Sequence, residues 1–190
     1  MYSRRKAYDA ELLELDTLLA RMGHAAGAAV ESAMTALRNH DTELARSVIA
    51  QDNEIDSAEH EIEHRCLTLI LRQQPVATDL RKVSTALKMV TDIERMADHA
   101  SDIAEITLHL EPESAAAVGV MDDLDKMGAA ALEMTKRAIG AYVQVDLSEA
   151  AQVVAADDDA EAAEIFGKGS VAREIFAHAV ADLNDAADMG

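Results

Sequence analysis

Apolar residues recur at three- and four-residue steps along the first half of the chain, which is typical of helices with one buried face. The pattern predicts helices over residues 8–39 and 42–72, and a third from just beyond Pro75 to the break at Glu111. Asp41 is a suitable N-cap for the second helix, and Pro75 ends it by disfavouring the helical conformation at Gln74. Three long helices with short connections predict an up-down-up bundle. The residues expected to face its core are Leu15, Leu19, Met22 and Val30, then Val48, Ile55, Ile62 and Leu69, then Leu80, Val83, Leu87 and Val90. Gly23 and Gly27 are expected to let a neighbouring helix approach the first one closely.

The second half of the chain repeats the first. A shift of 105 residues aligns Met22-Gly23 with Met127-Gly128 and Asp41 with Asp146. The end of the third helix, TDIERMADHA (91–100), resembles ADLNDAADMG (181–190) at a shift of only 90, so the second copy lacks 15 residues between its second and third helices. The segment EPES (111–114) breaks the helical pattern and predicts a boundary between domains 1–111 and 112–190. The expected fold is all-α, a tandem repeat of two antiparallel three-helix bundles with the second one shortened.

Acidic residues interrupt the apolar rows of the first bundle. Asp52 and Asp56 lie one turn apart on the second helix, and Glu94 and Asp98 lie one turn apart on the third. Packed helices are about 8–10 Å apart, so the four carboxylates can converge between them. Because unpaired carboxylates near a core are costly to desolvate, we expect cations to neutralise them. Such oxygen-rich sites suit magnesium, manganese or iron and permit bridging between metals.

Two further observations bear on this metal site. The second repeat offers a weaker set of acids, namely Asp157, Glu161 and Asp188. The competing interpretation is that Arg95, Arg81 or Lys88 pairs with the acids of the first repeat on a salt-bridged helix surface.

Residues 60–64 spell H-E-x-x-H, the zinc-protease signature in which two histidines one turn apart bind zinc. We find no clear third ligand or substrate-binding strand, so proteolysis is not favoured. His60 follows Asp56 by one turn and can add a nitrogen ligand to the acidic site. Glu61 and His64 also fit half of a ferritin-like di-iron site, but the equivalent helix carries no second copy of the motif.

Composition narrows the classes of function. The chain has 36 acidic and 17 basic residues among 190, a formal charge of −19, which disfavours binding to nucleic acid or anionic lipid. Cys66 is the single cysteine and is expected to pack in the core. The N-terminus lacks the apolar core of a secretory signal, and no run approaches the roughly 20 apolar residues of a membrane span. A cytoplasmic protein is expected.

The strings RQQPVATDLR and ERMADHASDIAE, with DNEID on the preceding helix, resemble the phosphate-uptake regulator family, PhoU. The resemblance implies multinuclear clusters, usually of iron or zinc with magnesium or manganese also possible, bound on the bundle surface by Asp52/Asp56 and Glu94/Asp98. It also implies a dimeric cytoplasmic protein that restrains phosphate import and the phosphate-starvation response. The implied partners are the ATPase subunit of the phosphate ABC transporter and a sensor histidine kinase.

The second repeat departs from the family pattern. Asn184 and Asp185 replace the counterparts of Glu94 and Arg95, and nothing like QQPVATDLR recurs. Only Asp188 keeps the place of Asp98.

The sequence favours a regulator without catalytic activity, since no nucleophile with its base and no phosphate-binding glycine loop is present. The alternative class is a carboxylate-bridged metalloenzyme, an iron oxidase or a zinc hydrolase on a helical bundle. A scaffold that acts in mixed dimers is a third interpretation.

Overall fold

The computed structural model describes residues 2–110 and 118–158, which form five α-helices and no strand. In chain order these are α1 (Tyr2–Asn39), α2 (Thr42–Gln73), α3 (Thr78–His109), α4 (Val118–Gln144) and α5 (Leu147–Asp158). The all-α prediction is confirmed, and α1, α2 and α3 form the expected up-down-up bundle. No helix in the described ranges has the length and apolar content that a membrane crossing requires.

The ends of α2 follow from local sequence. The Asp41 carboxylate accepts hydrogen bonds from the backbone N–H groups of Glu43 and Leu44, at 3.1 and 3.0 Å, and so confirms the predicted N-cap. At the other end Gln74 adopts a left-handed conformation with φ 49°, and its N–H donates to the Ile70 carbonyl. Pro75 follows and cannot continue the helix.

The core of the first bundle lies between the predicted rows of α1 and α2. Val48, Ile55, Ile62 and Leu69 are all buried, as are Leu15, Leu19, Met22 and Val30. Cys66 is also fully buried, and burial raises the pKa of its thiol to about 12, so it packs as a small apolar residue.

The second core row of α3 differs from the predicted one. Val83 and Val90 are fully buried, but Leu87 is only partly buried and Leu80 is 41% exposed. The second buried row, beside the row of Val83 and Val90, instead consists of Ala86, Ile93, Ala100 and Thr107. The second row is therefore displaced by one residue, or roughly 100° around the helix, while the row through Val83 and Val90 lies where it was predicted. The stripe as a whole is rotated by about half of that angle. Glu94 accordingly lies on the flank of the core stripe and not within it.

The turn between α4 and α5 repeats the turn between α1 and α2 at a shift of 105 residues. The Asp41 N–H donates to Ala36 O and the Asp146 N–H to Ala141 O, both at 2.9 Å. Asp146 caps α5 through the N–H groups of Ser148 and Glu149, as Asp41 caps α2. His40 and Val145, which precede the two caps, have φ values of 52° and 55°. The repeat predicted from the sequence is thus confirmed for these four helices.

Helices α1 and α4 pack against each other with approximate twofold symmetry. Ile139 of α4 packs against Gly23, leaving no room there for a Cβ, and Met34 of α1 packs against Gly128. The shift of 105 residues carries Gly23 to Gly128 and Met34 to Ile139, so the two contacts are exchanged by the repeat. The predicted close approach at Gly23 is confirmed.

Polar contacts also join α4 to the first bundle. Tyr142 donates to the Lys82 carbonyl at 3.2 Å, and Arg38 forms an ion pair with Asp125. The domain boundary at 111/112 and the third helix of the second bundle lie outside the described residues, so both stay predictions.

Candidate metal centre

Three carboxylates meet where α2 passes α3. Oxygen atoms of Asp52, Asp56 and Asp98 all lie within 4.8 Å of one another. Asp52 and Asp56 are partly buried and Asp98 is exposed, so the cluster lies at the solvent rim of the seam between the two helices. Three of the four ligands predicted in the first repeat are brought together, and the set offers only oxygen donors.

The helix register explains this placement. Asp52 and Asp56 lie one turn apart on α2, on either side of the buried Ile55. Asp98 directly follows the buried Ala97 on α3. Because neighbouring residues differ by about 100° around a helix, side chains next to core residues point along the rim of the seam.

Glu94 lies beside this group and outside it. Burial, followed by the negative charges of Asp98, Glu59 and Asp56, raises the pKa of Glu94 to about 7. The charges of the other acids therefore act strongly on its carboxylate, although its oxygens are not part of the three-residue cluster. The rotation of the α3 stripe accounts for this position.

The pKa of Asp52 is also raised, by burial first and then by the charges of Asp56 and Asp98. The Ser101 hydroxyl donates a hydrogen bond to Asp52 and opposes this shift. All the charges that shift the pKa values of Asp52 and Glu94 are carboxylates, which is the condition that a bound cation relieves.

Glu59 extends the acidic region and was not among the predicted ligands. Burial and the charge of Glu63 raise its pKa, while a hydrogen bond from Thr91 lowers it. The sequence signal was its place seven residues after Asp52, in the same row of α2. Ser101 and Thr91 gave no comparable signal, because hydroxyl residues on a helix are common.

The ion pairs of the described residues give no pairing of Arg95 or Arg81 with the carboxylate cluster, and the pairing of Lys88 stays a prediction. Arg95 pairs with Asp92, one turn earlier on α3, at 3.6 Å. Arg81 lies about 25 Å from Asp98 along the same helix, too far for an ion pair.

Among the described residues, no third ligand joins the two histidines of the H-E-x-x-H motif. Its glutamate, Glu61, is bound by Arg65 at 2.8 Å, and Arg65 also pairs with Glu14 at 2.9 Å. His60 and His64 are both exposed, and neither belongs to the carboxylate cluster. The charge of His60 lowers the pKa of Glu59. The structure places His60 outside the cluster, so its role as an additional nitrogen ligand stays a prediction.

The acids of the second repeat are not placed. Asp157 belongs to the final turn of α5, but its side chain, like all of Glu161 and Asp188, lies outside the described residues. Their metal-binding role stays a prediction.

The chain resembles known proteins in sequence and in structure. It is 38% identical over 158 residues to a "Phosphate-specific transport system accessory protein PhoU homolog" of Clostridium acetobutylicum, covering 83% of this chain and 71% of that protein. The PhoU homolog of a Burkholderia species and the PhoU protein of Serratia marcescens are 34% and 31% identical to this chain, and each match covers 79% of it. The chain spans 64% and 61% of their respective lengths.

Two crystal structures share the fold. PhoU from Pseudomonas aeruginosa matches with a TM-score of 0.76 and 27% identity, over 95% of this chain and 92% of that one. The phosphate transport system regulatory protein PhoU from Streptococcus pneumoniae matches with a TM-score of 0.72 and 26% identity, over 96% and 92% of the two chains. The PhoU domain model matches residues 19–107, the part of the chain that holds the carboxylate cluster. By these matches and its 38% identity to the clostridial protein, the chain belongs to the PhoU domain family.

Proposed function

We propose that this chain is a metal-binding regulator of phosphate uptake that acts through protein contacts and not through catalysis. The observation that carries the proposal is the convergence of the Asp52, Asp56 and Asp98 carboxylates on the α2–α3 seam. The regulatory role is supported by relatives that are named as accessory proteins of a phosphate-specific transport system.

The residues present suit a hard cation. Asp52, Asp56 and Asp98 would hold it, and Glu94 would add negative charge beside it. Because the cluster offers oxygen and no histidine nitrogen, we favour iron, manganese or magnesium over zinc. When bound, the ion supplies positive charge that neutralises the carboxylates and ties α2 to α3.

The rest of the mechanism belongs to the chain itself. In the metal-free protein the acids of α2 repel those of α3 across the seam, and burial together with this repulsion raises the pKa values of Asp52 and Glu94. Ser101 orients Asp52 through its hydroxyl, and the buried Ile55 and Ala97 keep the two helices packed next to the acids. Cation binding thereby sets the spacing of α2 and α3, and partners recognise the surface that this spacing creates. We propose that these partners are the ATPase subunit of the phosphate ABC transporter and a sensor histidine kinase, bound by a cytoplasmic homodimer.

The test combines metal content with regulation. Untagged wild-type protein and the Asp52→Asn/Asp98→Asn variant are analysed for metals, with Glu105→Gln as the control on an exposed part of α3. We expect at least about one ion per chain in the wild type and the control, and none in the double variant. In bacteria that lack their own PhoU protein, the wild type and the control are expected to restrain phosphate uptake while the double variant does not. Equal metal content in all three proteins, or regulation by a protein that binds no metal, would contradict the proposal.

A further inference from the structure

Exposed apolar side chains gather at one end of the molecule. At this end α2 finishes at Gln73 and α3 begins at Thr78, and Gln73 contacts Glu11 of α1 through a hydrogen bond of 3.4 Å. Tyr142, near the end of α4, bonds to the carbonyl of Lys82 at the start of α3. The α2–α3 turn, the first turns of α1 and the α4–α5 turn therefore lie together, and we refer to this region as the α2–α3 end.

The turn itself carries the most exposed large apolar residues. Leu71 is 77% exposed and Val76 is 75% exposed, with Leu67 and Leu80 at 53% and 41%. Leu13 of α1 and the α4–α5 residues Val145 and Leu147 are exposed at the same end. In the described part of the chain Ile106 is the one large exposed apolar residue elsewhere. Apolar side chains concentrated in this way mark an interaction surface more often than chance exposure.

The backbone of the turn is strained. Gln74 has φ 49°, and Ala77 has φ 47° with ψ −118°, a backbone conformation that residues other than glycine rarely adopt. No side chain caps the start of α3 next to Ala77. Such strain persists where the conformation serves a purpose, and here it accompanies the exposure of Val76.

The charges at this turn indicate the chemistry of the partner. Although acidic residues outnumber basic ones by 36 to 17, two arginines flank the turn, Arg72 at the end of α2 and Arg81 in the first turns of α3, with one acid, the partly buried Asp79, between them. Within the described residues neither guanidinium forms an ion pair or a hydrogen bond. Unpaired arginines beside exposed leucine and valine complement a surface that is apolar and carries carboxylates.

We infer that the α2–α3 end is the docking surface for a partner segment with an apolar face flanked by carboxylates. A membrane is disfavoured as the occupant, because the chain carries a net charge of −19 and anionic lipid would repel it. Leu71 lies 19 residues from Asp52 on the same helix, or about 28 Å, so this surface is separate from the carboxylate cluster. The inference rests on the proposed function for the identity of the partner, the transporter ATPase.

The test uses the purified ATPase subunit of the phosphate transporter from the same organism as the probe. Its affinity is measured for the wild type, for Arg72→Glu/Arg81→Glu and for Leu71→Ser/Val76→Ser. The matched control is Arg21→Glu/Lys136→Glu, which reverses two exposed cations that also form no ion pair in the described part of the chain. We expect each test variant to bind about 10-fold or more weakly than the wild type, and the control to stay within about 2-fold. Thermal melting and metal content are expected to be unchanged, since all four positions are on the surface and remote from the carboxylates.

The outcomes separate this inference from the proposed function. Wild-type binding that both test variants retain would overturn the docking surface and leave the proposed function standing. A wild type that does not bind the ATPase would overturn both. A change of sedimentation coefficient in the test variants alone would identify a second copy as the occupant and overturn the inference. Wild-type binding to phosphatidylglycerol vesicles that the variants lose would overturn it in favour of a membrane.

Discussion

At the scale of single residues, Glu94 is the carboxylate, among those of the described residues, whose surroundings most disfavour its charge. Its ordinary pKa of 4.5 is raised to about 7 by burial and by the charges of Asp98, Glu59 and Asp56. Between these two pH values the folded protein holds a proton that the unfolded chain has lost. The resulting stabilisation is fully present below about pH 4.5 and is lost as the pH rises through about 7.

We therefore predict that metal-free protein becomes less stable between pH 5 and pH 8, and that Glu94→Gln reduces the loss. After allowance for screening by solvent, the variant should be about 1–2 kcal/mol more stable relative to wild type at pH 8 than at pH 5. Urea unfolding with excess chelator at both pH values measures the difference. Glu105→Gln, an exposed change on the same helix, should behave as the wild type. An equal pH dependence in wild type and Glu94→Gln would show that Glu94 is not held in the field of the other acids.

A second residue-scale prediction concerns Asp16 and Lys82. The Lys82 ammonium lies 2.7 Å from an Asp16 carboxylate oxygen, and the other Asp16 oxygen is buried without a hydrogen-bond partner. Lys82→Met leaves the Asp16 charge buried and unpaired, so we expect a loss of about 2–4 kcal/mol in unfolding free energy. In an Asp16→Asn background the same substitution should cost much less, because no charge is left unpaired. Additive effects in this double-mutant cycle would contradict the pairing.

At the scale of helices, the α1–α4 seam depends on glycines of two kinds. A Cβ at Gly23 would overlap the end of the Ile139 side chain, whereas a Cβ at Gly27 would meet Leu132 at an ordinary 3.4 Å. Alanine favours a helix over glycine by roughly 1 kcal/mol, so the local helix term is the same at both positions. The difference between the two substitutions therefore measures packing alone.

We predict that Gly27→Ala is neutral or stabilising by up to about 1 kcal/mol, and that Gly23→Ala is less favourable than Gly27→Ala by about 1 kcal/mol or more. Ile139→Val removes the terminal methyl group that obstructs a Cβ at position 23. In that background Gly23→Ala should gain relative to its effect in the wild type, as measured by urea unfolding. Equal effects of Gly23→Ala with and without Ile139→Val would mean that the two helices are not in contact at this point.

The existence of the helices and the two ends of α2 could be predicted from the sequence, because Asp41 and Pro75 act on their immediate neighbours. The start of α1 was predicted wrongly, since the helix begins at Tyr2 and not at Tyr8. The facing of α3 could not be predicted to within one residue. Rows through Leu80 and Leu87 or through Ala86 and Ile93 both fit the apolar pattern beside Val83 and Val90, and the contacts with α1 and α2 select the second. That choice places Glu94 on the flank of the stripe. Which three of the four acids converge thus depends on packing between helices. The residue spacing along one helix carries no information on that packing.

At the scale of the whole molecule, the repeat is visible in the sequence while its symmetry is visible only in the structure. The shift of 105 residues predicted that α4 and α5 copy α1 and α2. It did not predict that α1 would pack against α4, so that Gly23 meets Ile139 and Gly128 meets Met34. A contact between two different repeats leaves no periodic signal within either one. The carboxylate cluster belongs to the first repeat and lies on the seam between α2 and α3.

Cation binding should therefore stabilise the folded protein through contacts with α2 and α3. An ion that binds the folded protein alone, at 100 times its dissociation constant, adds about 2.7 kcal/mol to the unfolding free energy. We predict that Mn²⁺ or Fe²⁺ raises the melting temperature of the wild type and that EDTA reverses the rise. The Asp52→Asn/Asp98→Asn variant should be insensitive to metal and more stable than the metal-free wild type at pH 8, because two repelling charges are gone.

Hydrogen exchange locates the effect within the molecule. Added Mn²⁺ should slow exchange in α2 and α3 around residues 52–59 and 94–101, with smaller changes in α4 and α5, since the ligands lie on α2 and α3. NaCl at matched ionic strength controls for general screening of the −19 charge. Protection spread evenly over α1 to α5, or an equal response to NaCl, would mean that divalent cations act on the net charge and not at the carboxylate cluster. Protection confined to α2 and α3 and lost in the double variant would locate the metal on the seam that Asp52, Asp56 and Asp98 share.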